Sequence, residues 1–222
     1  MTLTLGRRDD RSAPDSGLRL VLGSASPRRL ALLAQIGVKP DAVLAAEIDE
    51  APHPREEPRA LAERLASEKA LASAAIAGAQ ANLAPCLTLG ADTVVGVGRR
   101  ILPKCETREE AELCLDLLSG RGHRVFTGLA LVTREGAVRR RLVETRLRFK
   151  RLSPNEVEAY LMSGEWRGKA GGYAIQGLAG AFVERLVGSY SNVVGLPLAE
   201  TAALLGGEGY DVHQHWSMSL VQ

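Results

Sequence analysis

The chain has 222 residues, 45% of them hydrophobic, which is enough to bury one sizeable core or two small ones. A formal net charge of +2 and an aromatic content of 4% are too low for a general nucleic-acid-binding or membrane-surface protein, and no apolar run is long enough to span a membrane. The three cysteines lack the spacing of a zinc site and suit a reducing cytoplasm, where we expect the protein to act.

Both ends of the chain differ in composition from its middle. Residues 1–17 are polar and lack the apolar stretch of a signal peptide, so we predict a disordered N-terminal tail. Residues 206–222, which include His213 and His215, are predicted to form a peripheral C-terminal tail, and we assign these histidines no role. No linker or repeat interrupts residues 18–205, which we therefore assign to a single domain.

A strand followed by a helix is predicted at the start of this domain, where an apolar segment gives way to leucines at helical spacing. Ser26 is a suitable N-cap for the helix, and Pro27 suits its first position. Free backbone amides and the guanidinium groups of Arg28 and Arg29 therefore meet at a helix N-terminus, an arrangement that can hold an anion such as phosphate. The alternative is an ordinary capped surface helix with two solvated arginines.

The rest of the domain alternates between predicted helices and strands. In chain order we predict a helix over residues 60–77, short strands over 87–90 and 94–97, a capped helix over 107–118, a hairpin of strands 125–132 and 138–149, and a capped helix over 154–163. Residues 171–177 are interpreted as a further strand between glycines. Strands of mixed order with helices on both faces predict a three-layer α/β domain.

The acidic residue Asp92 falls between two of the predicted strands, in the sequence Gly90–Thr93. A carboxylate beside an anion site would hold a divalent metal or act as a general base toward water. The alternative is an Asx turn, in which the side chain of Asp92 bonds its own backbone.

Lysine is scarce in this arginine-rich chain, yet it is present at Lys69, Lys104 and Lys169. A compact ammonium reaches a phosphate oxygen as a point charge, so these lysines are candidate phosphate ligands, with solvated surface lysines as the alternative. Gln176 lies in a glycine-flanked segment and offers both a donor and an acceptor, which suits the edge of a nucleobase. The alternative is that Gln176 is a structural glutamine in a turn.

For two further sets of charged residues, the alternative to a functional role is a solvated surface. The acidic cluster at residues 47–50, which ends at Glu50, would supply a metal ligand or else form a solvated loop. Arg146, Arg148 and Lys150 alternate along a predicted strand and therefore share one face. Such a basic stripe would bind nucleic acid or else remain a solvated strand face.

The candidate residues belong to a series of short motifs that occur in a fixed order. These are SASPRR at 24–29, IDE at 48–50, EKA at 68–70, GADT at 90–93, Lys104, KAGGYAIQG at 169–177 and SYSNVVGLP at 189–197. Their ordered co-occurrence resembles the Maf family of nucleoside triphosphate pyrophosphatases, and the resemblance spans roughly residues 18–205.

The resemblance implies a mixed, strongly bent sheet flanked by helices, with two lobes and a central cleft, as in inosine triphosphate pyrophosphatases. It implies hydrolysis of a nucleoside triphosphate to a monophosphate and pyrophosphate with a divalent cation, Mg²⁺ or Mn²⁺. The Arg in SPRR, the Thr in GADT and the Gln in IQG match the branch that acts on dTTP and UTP, with the 7-methyl-GTP branch as the alternative. Such an enzyme would cleanse the pool of modified nucleotides. Relatives often form homodimers.

The resemblance also implies roles for individual residues by motif position. Asp92 is the expected general base, with metal binding as a second role, and Glu50 is expected to help bind the metal. The positions tied to substrate choice are Arg28, Thr93 and Gln176. The positions expected to face phosphate are Ser26, at the capped helix start, and the basic residues Arg29, Lys69, Lys104 and Lys169.

Two other classes of function use the same residues differently. A non-catalytic nucleotide-binding regulator, for example of cell division, would bind a nucleotide tightly in the same pocket without turnover. A nucleic-acid-binding protein would use the basic stripe, but the low net charge and few aromatic residues argue against it. We therefore expect a nucleoside triphosphate as the partner and neither nucleic acid nor a membrane.

Overall fold

The computed structural model of the chain describes residues 17–214 and residue 216. The predicted N-terminal tail, apart from Gly17, lies outside the described residues, as do His215 and residues 217–222. The strands are β1 (Arg19–Leu22), β2 (Ala42–Val43), β3 (Cys86–Val97), β4 (Arg100–Leu102), β5 (Lys104–Cys105), β6 (Gly122–Val132), β7 (Val138–Phe149), β8 (Lys169–Ala170) and β9 (Val183–Val187). The helices are α1 (Pro27–Gln35), α2 (Pro58–Gly78), α3 (Arg108–Leu118), α4 (Pro154–Ser163), α5 (Tyr190–Val194) and α6 (Leu198–Gly207), with a 3₁₀ turn at Leu178–Phe182.

The main sheet is mixed and has the strand order β2-β1-β3-β6-β7-β9, with β4 added beside the end of β3. β1 runs parallel to β2 and β3, and the other neighbours in this sheet are antiparallel. β5 and β8 form a separate antiparallel pair. The predicted mixed α/β fold with flanking helices is confirmed.

The two faces of the sheet carry different layers of helix. α2 packs on one face, where Leu61 and Leu65 meet Val94 and Phe126. The other face joins α1, α3, α4 and α6 in the main core. Because side chains alternate along a strand, consecutive residues of β3 project into different layers. Asp92 is therefore on the α2 face, whereas Thr93 projects toward α1 and α5.

Glycines in the sheet allow α2 to approach its surface closely. A Cβ at Gly128 would lie 2.2 Å from the carbonyl oxygen of Ala62, and one at Gly90 would lie 2.6 Å from that of Ala66. The small side chains of α2 and the missing Cβ atoms of the sheet therefore bring the helix backbone near β3. This close approach places Lys69 of α2 beside Asp92.

Local signals in the sequence predicted several element boundaries. The capping boxes that begin α3 and α4 are confirmed at Thr107 and Ser153, and the β6–β7 hairpin is also confirmed. α1 begins at Pro27 with Ser26 in the N-cap position, but the Ser26 side chain makes no capping hydrogen bond.

Two predicted strand assignments were wrong. β3 is one continuous strand rather than two, because β6 pairs with it without a break from Thr88 to Gly96. Residues 171–177 form turns rather than a strand, since Gly171 and Gly172 have left-handed φ angles of +67° and +69°.

The segment after α6 contacts the domain. Val212 is buried in the main core, and the indole Nε1 of Trp216 donates a 2.8 Å hydrogen bond to the carbonyl oxygen of Ile36. The domain boundary at residue 205 stays a prediction. Among the helices that the structure describes, none is both long and apolar enough to cross a membrane.

Candidate active site

The site opens at the edge of β3, at the point where its neighbouring strand changes. β1 pairs with residues 86–89 of β3, and β4 pairs with residues 95–97. Within the described part of the chain, residues 90–94 have no strand partner on that side. Asp92 and Thr93 lie in this gap, and the chain leaving β1 turns there into the N-terminus of α1.

A cavity of about 270 Å³ lies over this gap. Eight of the ten predicted site residues line it, namely Ser26, Arg28, Arg29, Asp92, Thr93, Lys104, Lys169 and Gln176. A neighbouring cavity of about 340 Å³ is also lined by Asp92 and Lys104, and it reaches Glu50. The lining of the first cavity carries four cationic side chains and one carboxylate, so its charge suits a polyanion such as a triphosphate.

Lys69 connects the two predicted acidic residues. Its Nζ lies 2.6 Å from Oδ1 of Asp92 and 2.5 Å from Oε1 of Glu50. Asp92 is only 2% exposed and lies within a regular strand, so the alternative of an Asx turn was wrong. The alternative of a solvated Lys69 was also wrong, because this side chain is buried beneath the site.

Glu50 belongs to the site rather than to a solvated loop. Its carboxylate forms ion pairs with both Lys69 and Lys104. Burial by itself would raise the pKa of Glu50, but the hydrogen bonds from the two lysines outweigh it and hold the pKa at about 2. Glu50 is therefore ionised at neutral pH.

The loop that carries Glu50 is held by Arg64, a residue that the sequence analysis missed. Its guanidinium donates to both carboxylate oxygens of Glu56, at 2.8 and 2.9 Å, and to the carbonyl oxygen of Ala51 at 3.0 Å. Hydrogen bonds from Arg64 lower the pKa of Glu56 to about 2. Because Ala51 follows Glu50 directly, the hydrogen bond from Arg64 to the Ala51 carbonyl oxygen anchors the backbone next to Glu50.

Arg29 connects three parts of the site. Its guanidinium donates to the carbonyl oxygen of Gly195 at 2.9 Å, to Oγ of Ser24 at 2.9 Å and to Oγ1 of Thr93 at 3.4 Å. Burial lowers the pKa of Arg29, against the opposing charge of Asp92. The side chain is 9% exposed, so the alternative of a solvated arginine was wrong for Arg29. Arg28 is half-buried, and burial lowers its pKa as well.

The small β5–β8 sheet brings two of the predicted lysines to the same cavity. Lys104 pairs with Ala170 in its register, next to Lys169. The Nζ of Lys169 donates to the carbonyl oxygen of Arg167 at 2.9 Å. Burial lowers the pKa of Lys169, and the nearby charge of Arg28 acts in the same direction.

Gln176 reaches the cavity from a tight turn. Its side chain is exposed and has no hydrogen-bond partner among the described residues. Glu165 holds the turn by accepting a 2.9 Å hydrogen bond from the backbone N–H of Leu178. A Cβ at Gly177 would lie 2.2 Å from that carboxylate, so a larger residue there would displace the Glu165 side chain.

The sequence analysis also missed two buried polar residues behind the site. Thr127 of β6 lies 2.9 Å from Thr93 between their Oγ1 atoms, and its hydroxyl donates to the carbonyl oxygen of Asn192 at 3.0 Å. The only local signal was an isolated threonine in the apolar run of β6. Tyr173 lines the cavity and forms a 2.8 Å hydrogen bond with His123, whose pKa burial lowers to about 4.

Carboxylates that would meet a divalent cation are present at Glu50 and Asp92. The residues that the structure describes contain no cluster of three or more His, Cys, Asp or Glu side chains suited to a metal. Mg²⁺ is commonly bound by only one or two carboxylates together with substrate phosphates. The donor set therefore fits a cation that arrives with a phosphorylated ligand.

The basic stripe along β7 is largely paired with acids. Arg146 lies 2.9 Å from a carboxylate oxygen of Glu144, and Arg148 lies 3.3 Å from one of Glu184. Lys150 forms an ion pair with Glu156. The paired acids offset the positive charge of this strand face, which weakens the argument for a nucleic-acid surface.

Comparison with known proteins agrees with the motif order. Residues 19–208 match the family model described as Maf-like protein. The chain is 61% identical over 198 residues to the dTTP/UTP pyrophosphatase of Mesorhizobium japonicum, covering 89% of this chain and 95% of that one. It is 58% identical over 203 residues to the dTTP/UTP pyrophosphatase of Brucella abortus, covering 91% and 98%. A solved HAM1 protein from Coxiella burnetii aligns with a TM-score of 0.47 and 15% identity, covering 86% and 99%. The family model spans most of the chain, and this chain therefore belongs to the Maf-like protein family.

Proposed function

We propose that this protein hydrolyses dTTP and UTP to the corresponding monophosphate and pyrophosphate. The observation that carries the proposal is the buried Asp92 carboxylate at a cavity lined by four cationic side chains. The two relatives described above, both called dTTP/UTP pyrophosphatase, support the choice of substrate.

The triphosphate would bind where the positive charge converges. Lys104 and Lys169 line the cavity from the β5–β8 sheet, and the N-terminus of α1 supplies partial positive charge from another side. The guanidinium of Arg28 has no acidic partner among the described residues, so it is available to an anionic ligand. Together these groups would neutralise and orient the phosphate chain, which supplies much of the catalysis in phosphoryl transfer.

Asp92 would act as the general base toward the attacking water. Lys69 engages its Oδ1, and no contact within the described residues engages Oδ2. A water at Oδ2 would give up a proton to the carboxylate as its oxygen attacks phosphorus. Lys69 keeps the carboxylate in place, since the lysine is itself fixed by Glu50.

A divalent cation, Mg²⁺ or Mn²⁺, would be held by Glu50 and Asp92 together with phosphate oxygens. When bound, it would neutralise charge that develops on the phosphates during the reaction. The loop anchored by Arg64 would keep Glu50 in position for this role.

Arg28, Thr93 and Gln176 would select the base. Uracil and thymine present two carbonyl acceptors on either side of one N3–H donor. The free amide of Gln176 can donate to a carbonyl, and Arg28 can do the same. A site built from hydrogen-bonding groups rejects a mismatched base strongly, because its own polar groups are then left unpaired.

The test is pyrophosphate release from a panel of triphosphates in the presence of Mg²⁺ or Mn²⁺. We expect turnover of dTTP and UTP well above that of CTP, ATP and GTP. Preference for 7-methyl-GTP or inosine triphosphate would contradict the substrate assignment. Tight nucleotide binding without pyrophosphate release would instead indicate a regulator, such as one acting on cell division.

Two accompanying assignments concern the compartment and the oligomeric state. The three cysteines are free thiols, and the sulfurs of Cys105 and Cys114 lie 3.6 Å apart without a disulfide, which supports action in the reducing cytoplasm. The homodimer implied by the family resemblance stays a prediction, which the mass of the protein in solution tests.

A further inference from the structure

Thr127 lies directly opposite Thr93 in the pairing of β3 with β6. Both side chains project from the face of the sheet that carries the main core. The hydroxyl of Thr127 is fully buried between Val125 and Leu129, which precede and follow it in the same row. Apolar packing alone does not call for a hydroxyl at this position, so its hydrogen bonds indicate its role.

The direction of the Thr93–Thr127 hydrogen bond follows from the second partner of Thr127. Thr127 Oγ1 lies 3.0 Å from the carbonyl oxygen of Asn192, which can only accept, so Thr127 donates its single proton there. At 2.9 Å, Thr127 then accepts from Thr93. The proton of Thr93 is therefore committed to the interior of the protein.

The Asn192 carbonyl cannot readily turn away from Thr127. The Asn192 side chain is fully buried and donates to the carbonyl oxygen of Val125 at 3.2 Å and to Oγ1 of Thr145 at 2.9 Å. Thr145 in turn donates to the carbonyl oxygen of Ser189 at 3.1 Å. This network holds the α5 segment against β6 and β7 and keeps the acceptor for Thr127 in place.

On the cavity side, Thr93 then presents only lone pairs. Arg29 donates to its Oγ1 at the long distance of 3.4 Å, which leaves room for another donor. Gly195 has no side chain on this approach, whereas a Cβ there would lie 3.6 Å from Oγ1 of Thr93 and take up space beside it. A ligand that meets Thr93 in the cavity therefore meets a hydrogen-bond acceptor.

We propose that Thr127 is a positioning residue for base selection, which orients the Thr93 hydroxyl so that it only accepts hydrogen bonds from the ligand. Uracil and thymine carry a donor at N3, whereas N3 of cytosine is an acceptor and would face lone pairs of Thr93. Thr127 would thereby disfavour cytidine triphosphates without touching them. This inference rests on the proposed function, and it distinguishes uracil and thymine nucleotides from cytosine nucleotides by whether N3 donates or accepts a hydrogen bond.

The experiment compares wild type, Thr127→Val and Thr127→Ser for binding and turnover of UTP and CTP. Binding is measured with analogues in which a methylene group replaces the oxygen between the α and β phosphorus atoms, and thermal unfolding monitors stability. Valine has the shape of threonine but cannot accept the Thr93 proton, which becomes free to point at the ligand. We expect the UTP-to-CTP binding ratio to fall by about tenfold in Thr127→Val and to return in Thr127→Ser.

The outcomes separate this inference from the proposed function. Equal binding of both analogues by wild type, or an unchanged ratio in Thr127→Val with both affinities reduced in parallel, would overturn the positioning role. Absence of turnover in wild type with the expected change in the binding ratio would overturn the enzymatic function and leave the inference standing. If Thr127→Val fails to fold, Thr127→Ala removes the same acceptor with a smaller side chain and gives the same readout.

Discussion

Replacement of Asp92 by Asn removes the proposed base while preserving its shape. An amide cannot take a proton from water at neutral pH, so we expect kcat to fall by roughly 10²–10⁴-fold. At about 1.36 kcal/mol for each factor of ten, this is a loss of about 3–5 kcal/mol of transition-state stabilisation.

The structure indicates that stability changes far less than turnover in this variant. Lys69 loses its contact with the Asp92 carboxylate but keeps Glu50 at 2.5 Å, so its charge is not left unpaired. We therefore expect the free energy of unfolding to fall by about 1–2 kcal/mol, below the 3–5 kcal/mol that an orphaned buried charge would cost. From an ordinary stability of at least about 5 kcal/mol, more than about 99% of the protein remains folded.

The assay is pyrophosphate release at saturating dTTP with Mg²⁺, alongside binding of a non-hydrolysable dTTP analogue. Asp116→Asn is the matched control, since Asp116 is an exposed aspartate on α3 away from the cavity. Its kcat should equal that of wild type. An Asp92→Asn protein that keeps kcat within about tenfold of wild type would refute the reasoning, because a positioned base contributes more than that.

Three other substitutions test the supports of the site and the fold. Arg64→Met should lower kcat/KM by about 10–100-fold at limiting Mg²⁺ through looser placement of Glu50, and a metal dependence identical to wild type would contradict this. Gly128→Ala places a Cβ 2.2 Å from the α2 backbone and should lower the free energy of unfolding by about 1–3 kcal/mol, whereas the control Gly78→Ala, with open space around it, should not. Burial lowers the pKa of His123 to about 4 from an ordinary 6.5. The neutral imidazole therefore makes its full contribution to stability above pH 6.5, and this contribution is lost as the pH falls toward 4. The loss is on the order of 3 kcal/mol. In His123→Gln, the free energy of unfolding, measured in urea at several pH values, should change less over this pH range.

Local signals predicted those parts of the fold whose cause lies within a few residues. A capping box needs only a hydroxyl and a glutamate three positions later, and both predicted boxes begin their helices in the structure. The start of α1 at Pro27 has the same short-range cause. The Gly136 turn likewise joins β6 to β7 as expected.

The wrong strand assignments have long-range causes. Gly90 and Asp92 look like a strand break in isolation, but an unbroken ladder to β6 holds β3 together across them. Residues 171–177 look like a strand between glycines, but no strand in the described part of the chain pairs with them, and Gly171 and Gly172 adopt left-handed turns. Strand pairing depends on the register of distant segments, which no local pattern contains.

By itself the sequence determined the family and the residues that surround the cavity, because ordered motifs carry both. Only the tertiary structure decided what each side chain contacts. It placed Lys69 against Asp92 through the close approach of α2, joined Arg29 to Gly195 across 166 residues, and set Thr127 behind Thr93. These contacts follow from sheet register and helix packing, so their geometry exists only once the whole chain has folded.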